Sequence, residues 1–93
     1  MFELEFTGQF KKDLKRIKKR NKEYLILIEN AMFLLQKNGA GAIPPSWKPH
    51  KLKGDYKDNW ECHLLSDLLL IWYQIDENKI IRLVRAGTHS DLF

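Results

Sequence analysis

The first residues alternate between apolar and acidic side chains, and the pattern then changes to a helical one. The apolar positions Phe2, Leu4 and Phe6 predict a short strand with one buried face. Thr7 follows the strand and belongs to the residue types that cap helices. The next apolar residues keep the spacing of one helix face: Phe10, Leu14 and Ile17. We therefore expect a strand followed by a helix that ends near Asn21.

A second apolar stripe predicts another helix from about Lys22 to Asn38. Its members at helical spacing are Leu25, Ile28, Met32 and Leu35. The stripe is widened by Leu27, Phe33 and Leu34, which predicts a well-buried helix. Asn38-Gly39 is typical of a helix end. The glycines and prolines between residues 39 and 49 predict a loop without regular structure.

The remaining chain consists of short strand-like segments separated by tight turns. These segments are His50–Lys53, Trp60–Leu65, Leu68–Ile75 and Lys79–Ala86. Leu68–Ile75 is too apolar for an exposed edge, so we expect it at the centre of the sheet. Such short turns require antiparallel pairing. The sequence predicts an α+β fold, with two N-terminal helices packed on a small antiparallel sheet, preceded by a short N-terminal strand. Residues 1–93 are expected to form one domain, and residues 88–93 a short tail.

The positive charge is concentrated near the start of the chain. The net charge of the 93 residues is +4, but residues 1–22 alone carry eight basic and three acidic side chains. A basic segment of this kind contacts phosphates in some proteins and is a solvated helix face in others. The candidates for phosphate contacts are Lys11, Lys12, Lys15, Lys18 and Lys19.

The single cysteine, Cys62, excludes an intrachain disulfide and is typical of a reducing cytosol. No apolar segment resembles a signal peptide or is long enough to span a membrane, so we expect a cytoplasmic protein. Cys62 and His63 are adjacent and should face opposite sides of a strand. No metal-ligand spacing and no phosphate loop is evident, so the sequence predicts neither a metal nor a cofactor.

The strand-rich half contains the residue types that acid–base cleavage of RNA requires. A base removes the proton of the ribose 2′-hydroxyl, an acid protonates the leaving oxygen, and a cation stabilises the charged phosphorane. Histidine titrates near neutral pH, and arginine can hold a phosphate with two donors. The candidates are His50, His63, Asp67, Arg85 and His89. Each alone also has a structural explanation, such as a turn for Asp67 or a salt bridge from Arg85 to Asp91 or Glu61.

Taken together, these residues resemble the YafQ branch of the RelE toxin superfamily. The similar segments are Phe6-Thr-Gly8-Gln-Phe10-Lys-Lys-Asp13, His50-Lys-Leu52-Lys-Gly54-Asp-Tyr56, Trp60-Glu-Cys-His63, Asp67, Leu69-Leu-Ile71-Trp-Tyr73 and Arg85-Ala-Gly87-Thr88-His89-Ser-Asp-Leu92-Phe93. The resemblance spans nearly the whole chain, and its final segment is the most specific part. One position departs from the pattern, since Leu68 stands where this branch often has a tryptophan after the aspartate.

The resemblance implies a RelE-like microbial RNase-type fold and a toxin that cuts messenger RNA in the ribosomal A site. The implied active residues fall on His50, His63, Asp67, Arg85 and His89, which would share acid–base work and phosphate stabilisation. Phe93 would stack on or position a base, and Phe93 and Arg85 would together bind the substrate. The implied partners are the ribosome, the messenger RNA and a cognate antitoxin dimer. The antitoxin would mediate any contact with DNA, and no membrane partner is implied.

Three other functions remain open at this point. The chain could be a ParE-like toxin that poisons DNA gyrase, which would not need the histidines and the acid. It could be a catalytically inactive homologue that only binds RNA or the ribosome. An enzyme acting on a small molecule is the weakest alternative, because so short a chain offers little room for a pocket.

Overall fold

The computed structural model describes residues 1–93 as five strands, three α helices and three single-turn 3₁₀ helices. The strands are β1 (Glu3–Phe6), β2 (His50–Lys51), β3 (Trp60–Leu65), β4 (Leu68–Ile75) and β5 (Ile80–Gly87), and the helices are α1 (Gly8–Arg20), α2 (Lys22–Asn38) and α3 (His89–Leu92). The predicted bounds of α2, β3 and β4 are confirmed. Strand β2 is two residues shorter than predicted, and β5 begins and ends one residue later.

All five strands form one sheet in the order β1-β5-β4-β3-β2, so β4 is central, as predicted. Strands β2 to β5 pair antiparallel, which confirms the prediction from the short turns. Strand β1 pairs with β5 in parallel, from Glu3 opposite Ile80 to Phe6 opposite Leu83. The sheet is therefore mixed and not wholly antiparallel. The connection between β1 and β5 includes both long helices, which is enough chain for a parallel crossover.

Side chains that accept hydrogen bonds set the helix boundaries. The Thr7 hydroxyl accepts a bond from the Phe10 N–H, which confirms Thr7 as the cap of α1. Asn21 ends α1, and its side chain accepts bonds from the N–H groups of Glu23 and Tyr24 to begin α2. Gly39 ends α2 with a positive φ of 59°, which glycine adopts without strain.

The two faces of the sheet have different roles. The face covered by α1 and α2 holds the main core, whose largest members include Phe10, Ile28, Leu35 and Trp72. The opposite face carries a smaller cluster of Leu69, Ile71 and Leu92. The predicted burial of α2 is wrong in part, because Phe33 is 56% exposed and lies on the outer surface. The helical period alone did not distinguish that position from the buried side.

Two segments predicted as irregular contain short helices. The loop from residue 39 to 49 includes 3₁₀ helices at Gly39–Ala42 and Pro45–Trp47. The predicted tail is α3, a helix of four residues that a capping box holds. In this box the Thr88 hydroxyl accepts from the Asp91 N–H, and the Asp91 carboxylate accepts from the Thr88 N–H. The capping box fixes α3, which carries His89, at the end of β5.

Helix α1 takes the place of a strand beside the second half of β5. Strand β1 ends at Phe6, and Thr7 then bonds to the carbonyl oxygens of Leu83 and Val84. A register shift follows, because Ile71 pairs with Arg85 while Trp72 pairs with Leu83, which leaves Val84 as an extra residue. Such bulges change the direction of the next side chain. None of the helices combines the length and the apolar composition of a membrane-spanning segment.

Candidate active site

Four aromatic side chains form a continuous row across the sheet face that the long helices leave open. The rings of His50 and His63 are stacked with their centres 6.0 Å apart, and the ring of His89 lies 6.0 Å from that of His63. The Phe93 ring is 6.5 Å from that of His89. Strands β2 and β3 and helix α3 thus bring together the three histidines that the sequence had singled out.

Asp67 orients His89. The carboxylate oxygen Oδ1 of Asp67 accepts bonds from the His89 backbone N–H at 2.9 Å and from ring nitrogen Nδ1 at 2.6 Å. These two bonds lower the pKa of Asp67, because they stabilise the carboxylate. Since Nδ1 carries the donated proton, Nε2 is left for a substrate. The side chain of His89 is 53% exposed, so a substrate can reach it.

Glu61 lies between the other two histidines and was not singled out from the sequence. Its oxygen Oε1 is 3.3 Å from Nε2 of His50 and 3.3 Å from Nε2 of His63. We call these three residues the histidine–glutamate cluster. Glu61 is 5% exposed, so its carboxylate is buried against the two rings. One signal could have found it, because strand periodicity places Glu61 on the same face as His63.

The histidine–glutamate cluster could hold a metal ion. Its three candidate ligand atoms lie within 4.8 Å of one another. Nδ1 of His50 is 2.8 Å from the Lys48 carbonyl oxygen, to which it must donate, so in a neutral ring Nε2 is the free ligand atom. Two imidazoles and one carboxylate suit zinc or copper. The prediction of no metal rested on spacing along the chain, and spacing could not indicate ligands that three different strand positions bring together.

Arg85 is held by a buried carboxylate of α1. Its Nε and Nη2 donate to Asp13 Oδ2 at 2.8 Å and Oδ1 at 3.1 Å, in a two-pronged pair. These bonds raise the pKa of Arg85 despite its burial, and the Tyr56 hydroxyl nearby adds to the rise. Neither Asp91 nor Glu61 forms the salt bridge that the sequence suggested. Only the backbone oxygen of Asp91 accepts from Arg85, at 3.4 Å.

Tyr56 connects Phe93 to Arg85 and is a second site residue that the sequence reasoning missed. The Tyr56 ring meets that of Phe93 edge-on, with centres 5.8 Å apart. Phe93 is 65% exposed, so its outer face is free for contact with another molecule. Tyr56 belongs to one of the motifs that carry the family resemblance, and this was the only signal for it in the sequence.

Three further positions lie outside the row. Leu68 is fully buried in the core beneath the helices, on the opposite face of the sheet, so it cannot touch a substrate at the histidines. Cys62 faces the same core, and burial raises the pKa of its thiol to about 12, so it is no nucleophile. Trp60 stacks on Trp72 in that core and is also directed away from the site.

The five lysines of α1 are all exposed. Lys11, Lys12, Lys15, Lys18 and Lys19 form no salt bridge with any acidic side chain. In contrast, Arg16 and Arg20 on the same helix approach Asp91 at 3.7 and 3.5 Å. The lysines therefore present unpaired positive charge to solvent.

The sequence and the fold have counterparts among known toxins. The Escherichia coli K12 protein described as mRNA interferase toxin YafQ is 35% identical over 91 residues, which cover 98% of this chain and 95% of the relative. A crystal structure of a metal-bound toxin from Helicobacter pylori has a TM-score of 0.86 and 38% identity, with both chains covered fully. A crystal structure of the E. coli DinJ-YafQ toxin-antitoxin complex has a TM-score of 0.77 and 32% identity, covering 99% of this chain and 97% of the other.

The fold thus has the form found in bacterial toxins of toxin–antitoxin systems. The family model for YafQ, described as the bacterial toxin of a type II toxin-antitoxin system, matches residues 2–93. The chain belongs to the YafQ family.

Proposed function

We propose that this chain is the toxin of a toxin–antitoxin pair and cleaves messenger RNA on the ribosome, in the cytoplasm. The name of the E. coli relative, mRNA interferase toxin, supports the nuclease and not the gyrase-poisoning alternative. The single observation that carries the proposal is that each histidine of the row faces a carboxylate, Glu61 for two of them and Asp67 for the third. Such pairs are suited to proton transfer at neutral pH.

In the proposed reaction, one side of the row removes a proton and the other side supplies one. The histidine–glutamate cluster accepts the proton of the ribose 2′-hydroxyl. The 2′-oxygen then attacks the adjacent phosphorus, and the bond to the 5′-oxygen breaks. His89 donates a proton to that leaving oxygen. The products are a 2′,3′-cyclic phosphate and a 5′-hydroxyl end, and no metal takes part in any step.

The assignment of His89 as the acid follows from its bond to Asp67. The carboxylate of Asp67 holds the ring through Nδ1, so Nε2 is the nitrogen that faces the substrate and that donates the proton in this step. His50 and His63 share one carboxylate, so a proton taken from the substrate can be distributed among three groups.

Arg85 would stabilise the phosphorane, and Phe93 would hold the substrate. The bonds of Arg85 within the protein use Nε and Nη2, which leaves Nη1 to donate to the phosphorane. The exposed Phe93 ring can stack on a base, an interaction that requires little sequence specificity. Tyr56 supports both residues from one side.

The basic face of α1 and the antitoxin complete the proposal. The five unpaired lysines can contact ribosomal RNA phosphates in a salt-dependent manner. The structure of the DinJ-YafQ toxin-antitoxin complex supports a cognate antitoxin as the partner of this chain. An acidic antitoxin segment that covers the lysines would prevent ribosome binding, and one that covers the row would prevent cleavage.

We also propose that the histidine–glutamate cluster binds a transition-metal ion when one is available. The ligand geometry and the metal-bound H. pylori relative support this second function. The metal would occupy the atoms that must accept a proton in the proposed reaction. Metal binding and cleavage would therefore exclude each other.

The proposal is tested with translating ribosomes that carry a defined messenger RNA, by mapping new 5′ ends with primer extension. We expect cuts in A-site codons with the unchanged protein and none with His89→Ala. The matched control is Glu77→Gln, which alters an exposed turn outside the site and should leave the cuts unchanged. A folded, ribosome-bound protein that makes no cuts would contradict the proposal.

The proposed roles are tested with a substrate in which sulfur replaces the 5′-oxygen at the cleavage site. Sulfur leaves without protonation, so this substrate should restore cleavage by His89→Ala but not by His50→Ala. Restoration of the His50 variant alone would reverse the two roles. The lysines are tested by charge reversal, which should weaken ribosome binding and reduce its salt dependence.

A further inference from the structure

Asp13 is a fully buried carboxylate with five hydrogen-bond donors around it. Its Oδ1 accepts from Arg16 at 3.0 Å, from Arg85 at 3.1 Å and from Gln9 at 3.3 Å. Its Oδ2 accepts from Arg85 at 2.8 Å and from the Ala86 N–H at 3.0 Å. A buried ion pair of this kind adds little net stability compared with well-packed apolar residues. The role of this carboxylate is therefore better explained by the groups that it positions.

The first group that Asp13 positions is the guanidinium of Arg85. Two bonds to one carboxylate fix both the place and the plane of the guanidinium, which a single bond would not do. The Ala86 N–H, bonded to the same oxygen as Arg85 Nε, fixes the carboxylate against the edge of β5. The direction of the free Nη1 is therefore determined by Asp13.

The second group is helix α3, which Asp13 reaches through Arg16. Nη1 of Arg16 bonds to Asp13, while Nη2 bonds to the Ala86 carbonyl at 3.3 Å and lies 3.7 Å from Asp91 Oδ2. Asp91 belongs to the capping box of α3. The space is closely filled, because a Cβ added at Gly87 would meet both Arg16 Nη2 and the Asp91 side chain at 3.0 Å. These contacts connect the position of His89 to that of Arg85.

We propose that Asp13 is a positioning residue that aligns Arg85, and with it α3, for cleavage. The inference rests on the proposed nuclease function, since it assigns a role in that reaction. Asp13 does not touch the substrate in this proposal. It acts mainly through Arg85, so most of its effect should depend on the presence of Arg85.

The first test is Asp13→Asn, which keeps the shape of the side chain but removes the charge and turns one acceptor into a donor. In single-turnover cleavage on programmed ribosomes, we expect the rate constant to fall about 10- to 100-fold, as for a small misplacement of a reacting group. The apparent KM should stay the same, because ribosome binding does not involve Asp13. The matched control is Glu5→Gln, which breaks the exposed ion pair with Arg82 and should leave the rate unchanged.

The second test separates positioning from a purely structural role. In an Arg85→Ala background, Asp13→Asn should lower the rate constant by a clearly smaller factor, since only its link to α3 through Arg16 remains. All variants are compared at a temperature at which circular dichroism shows them folded. An equal loss in both backgrounds, or an unchanged rate in the single variant, would overturn the proposal.

Two further measurements test the proposal if Asp13→Asn does not fold or if the unchanged protein does not cleave RNA. Asp13→Glu keeps the charge but moves the carboxylate, and we expect a folded protein with a lower rate constant and an unchanged KM. A wild-type rate in this variant would also overturn the proposal. The Arg85 Nε–H signal in NMR should exchange slowly with water in the unchanged protein and rapidly in Asp13→Asn. This signal tests the positioning even if the unchanged protein cuts no RNA, an outcome that would contradict the proposed function alone.

Discussion

Two arginines on β5 should differ sharply in their effect on stability. Arg85 pairs with Asp13, which is fully buried, whereas Arg82 pairs with Glu5 at 3.1 Å with both side chains nearly half exposed. Removing one partner of a buried pair costs about 3–5 kcal/mol, since the other charge stays buried. Arg16 still bonds to Asp13, so we expect the lower end for Arg85→Ala, about 3 kcal/mol. Arg82→Ala should cost about 0–1 kcal/mol.

The difference can be measured by thermal and urea unfolding followed by circular dichroism. In a domain of this size about 1 kcal/mol shifts the melting temperature by about 4–8 °C, so Arg85→Ala should melt at least about 12 °C below the unchanged protein. Arg82→Ala should melt within a few degrees of it. The double variant Asp13→Asn with Arg85→Ala should regain part of the loss, because the buried carboxylate no longer carries a charge. Equal losses for the two arginines would refute the reasoning.

The same pair has a pH dependence with a defined sign. Burial opposes ionisation of Asp13, but the bonds from Arg85, Ala86 and Gln9 outweigh burial and hold its pKa below the ordinary 3.8. The stabilisation from these bonds is therefore complete above pH 3.8 and is lost as the pH falls through the lower pKa of the folded state. The stability gap between the unchanged protein and Arg85→Ala should be largest above pH 3.8 and should narrow below it.

Three further predictions concern the site. Asp67→Asn should lower the cleavage rate constant by about 100-fold or more and leave the melting temperature unchanged, since the carboxylate orients His89 but is mostly exposed; an unchanged rate would exclude the orienting role. Phe93→Ala should raise the apparent KM and Phe93→Trp should not, as measured by cleavage at varied ribosome concentration. Equimolar zinc should inhibit cleavage, and EDTA should then restore it. EDTA alone should have no effect on the unchanged protein. Calorimetry should show weaker zinc binding by His63→Asn, because this variant lacks one of the three candidate ligands.

The local parts of this fold could be predicted from the sequence because periodicity reports them directly. The stripe from Leu25 to Leu35 defined α2, and the apolar run of β4 placed it at the centre of the sheet. The parallel pairing of β1 could not be predicted, because it depends on contacts between residues about 77 positions apart. Phe33 shows a second limit of periodicity: it is exposed, because an apolar residue beside a stripe need not be buried.

The site could be predicted only in part, and for a similar reason. The residue types of the three histidines and Asp67 indicated chemistry, but nothing local indicated that Asp67 bonds to His89 rather than acting alone. The spacing of Asp13 in the sequence indicates a buried acidic residue, although the predicted site did not include it. It lies three residues after Phe10 and four before Ile17, on the buried face of α1, where an acidic residue requires partners.

The pairing between the two ends of the chain also has a consequence for folding. The Arg85–Asp13 pair closes a separation of 72 residues, and the bond from Thr7 to Val84 closes one of 77. Contacts this distant in sequence carry the largest loop-closure cost and therefore form late. The helices and the hairpins of β3 to β5 can form first from nearby residues, but they leave Arg85 unsupported. In hydrogen exchange, Ala86 and the residues of β1 should therefore open at lower free energy than the centre of β4. An incompletely folded chain would thus be harmless, and toxicity would require the native state as a whole.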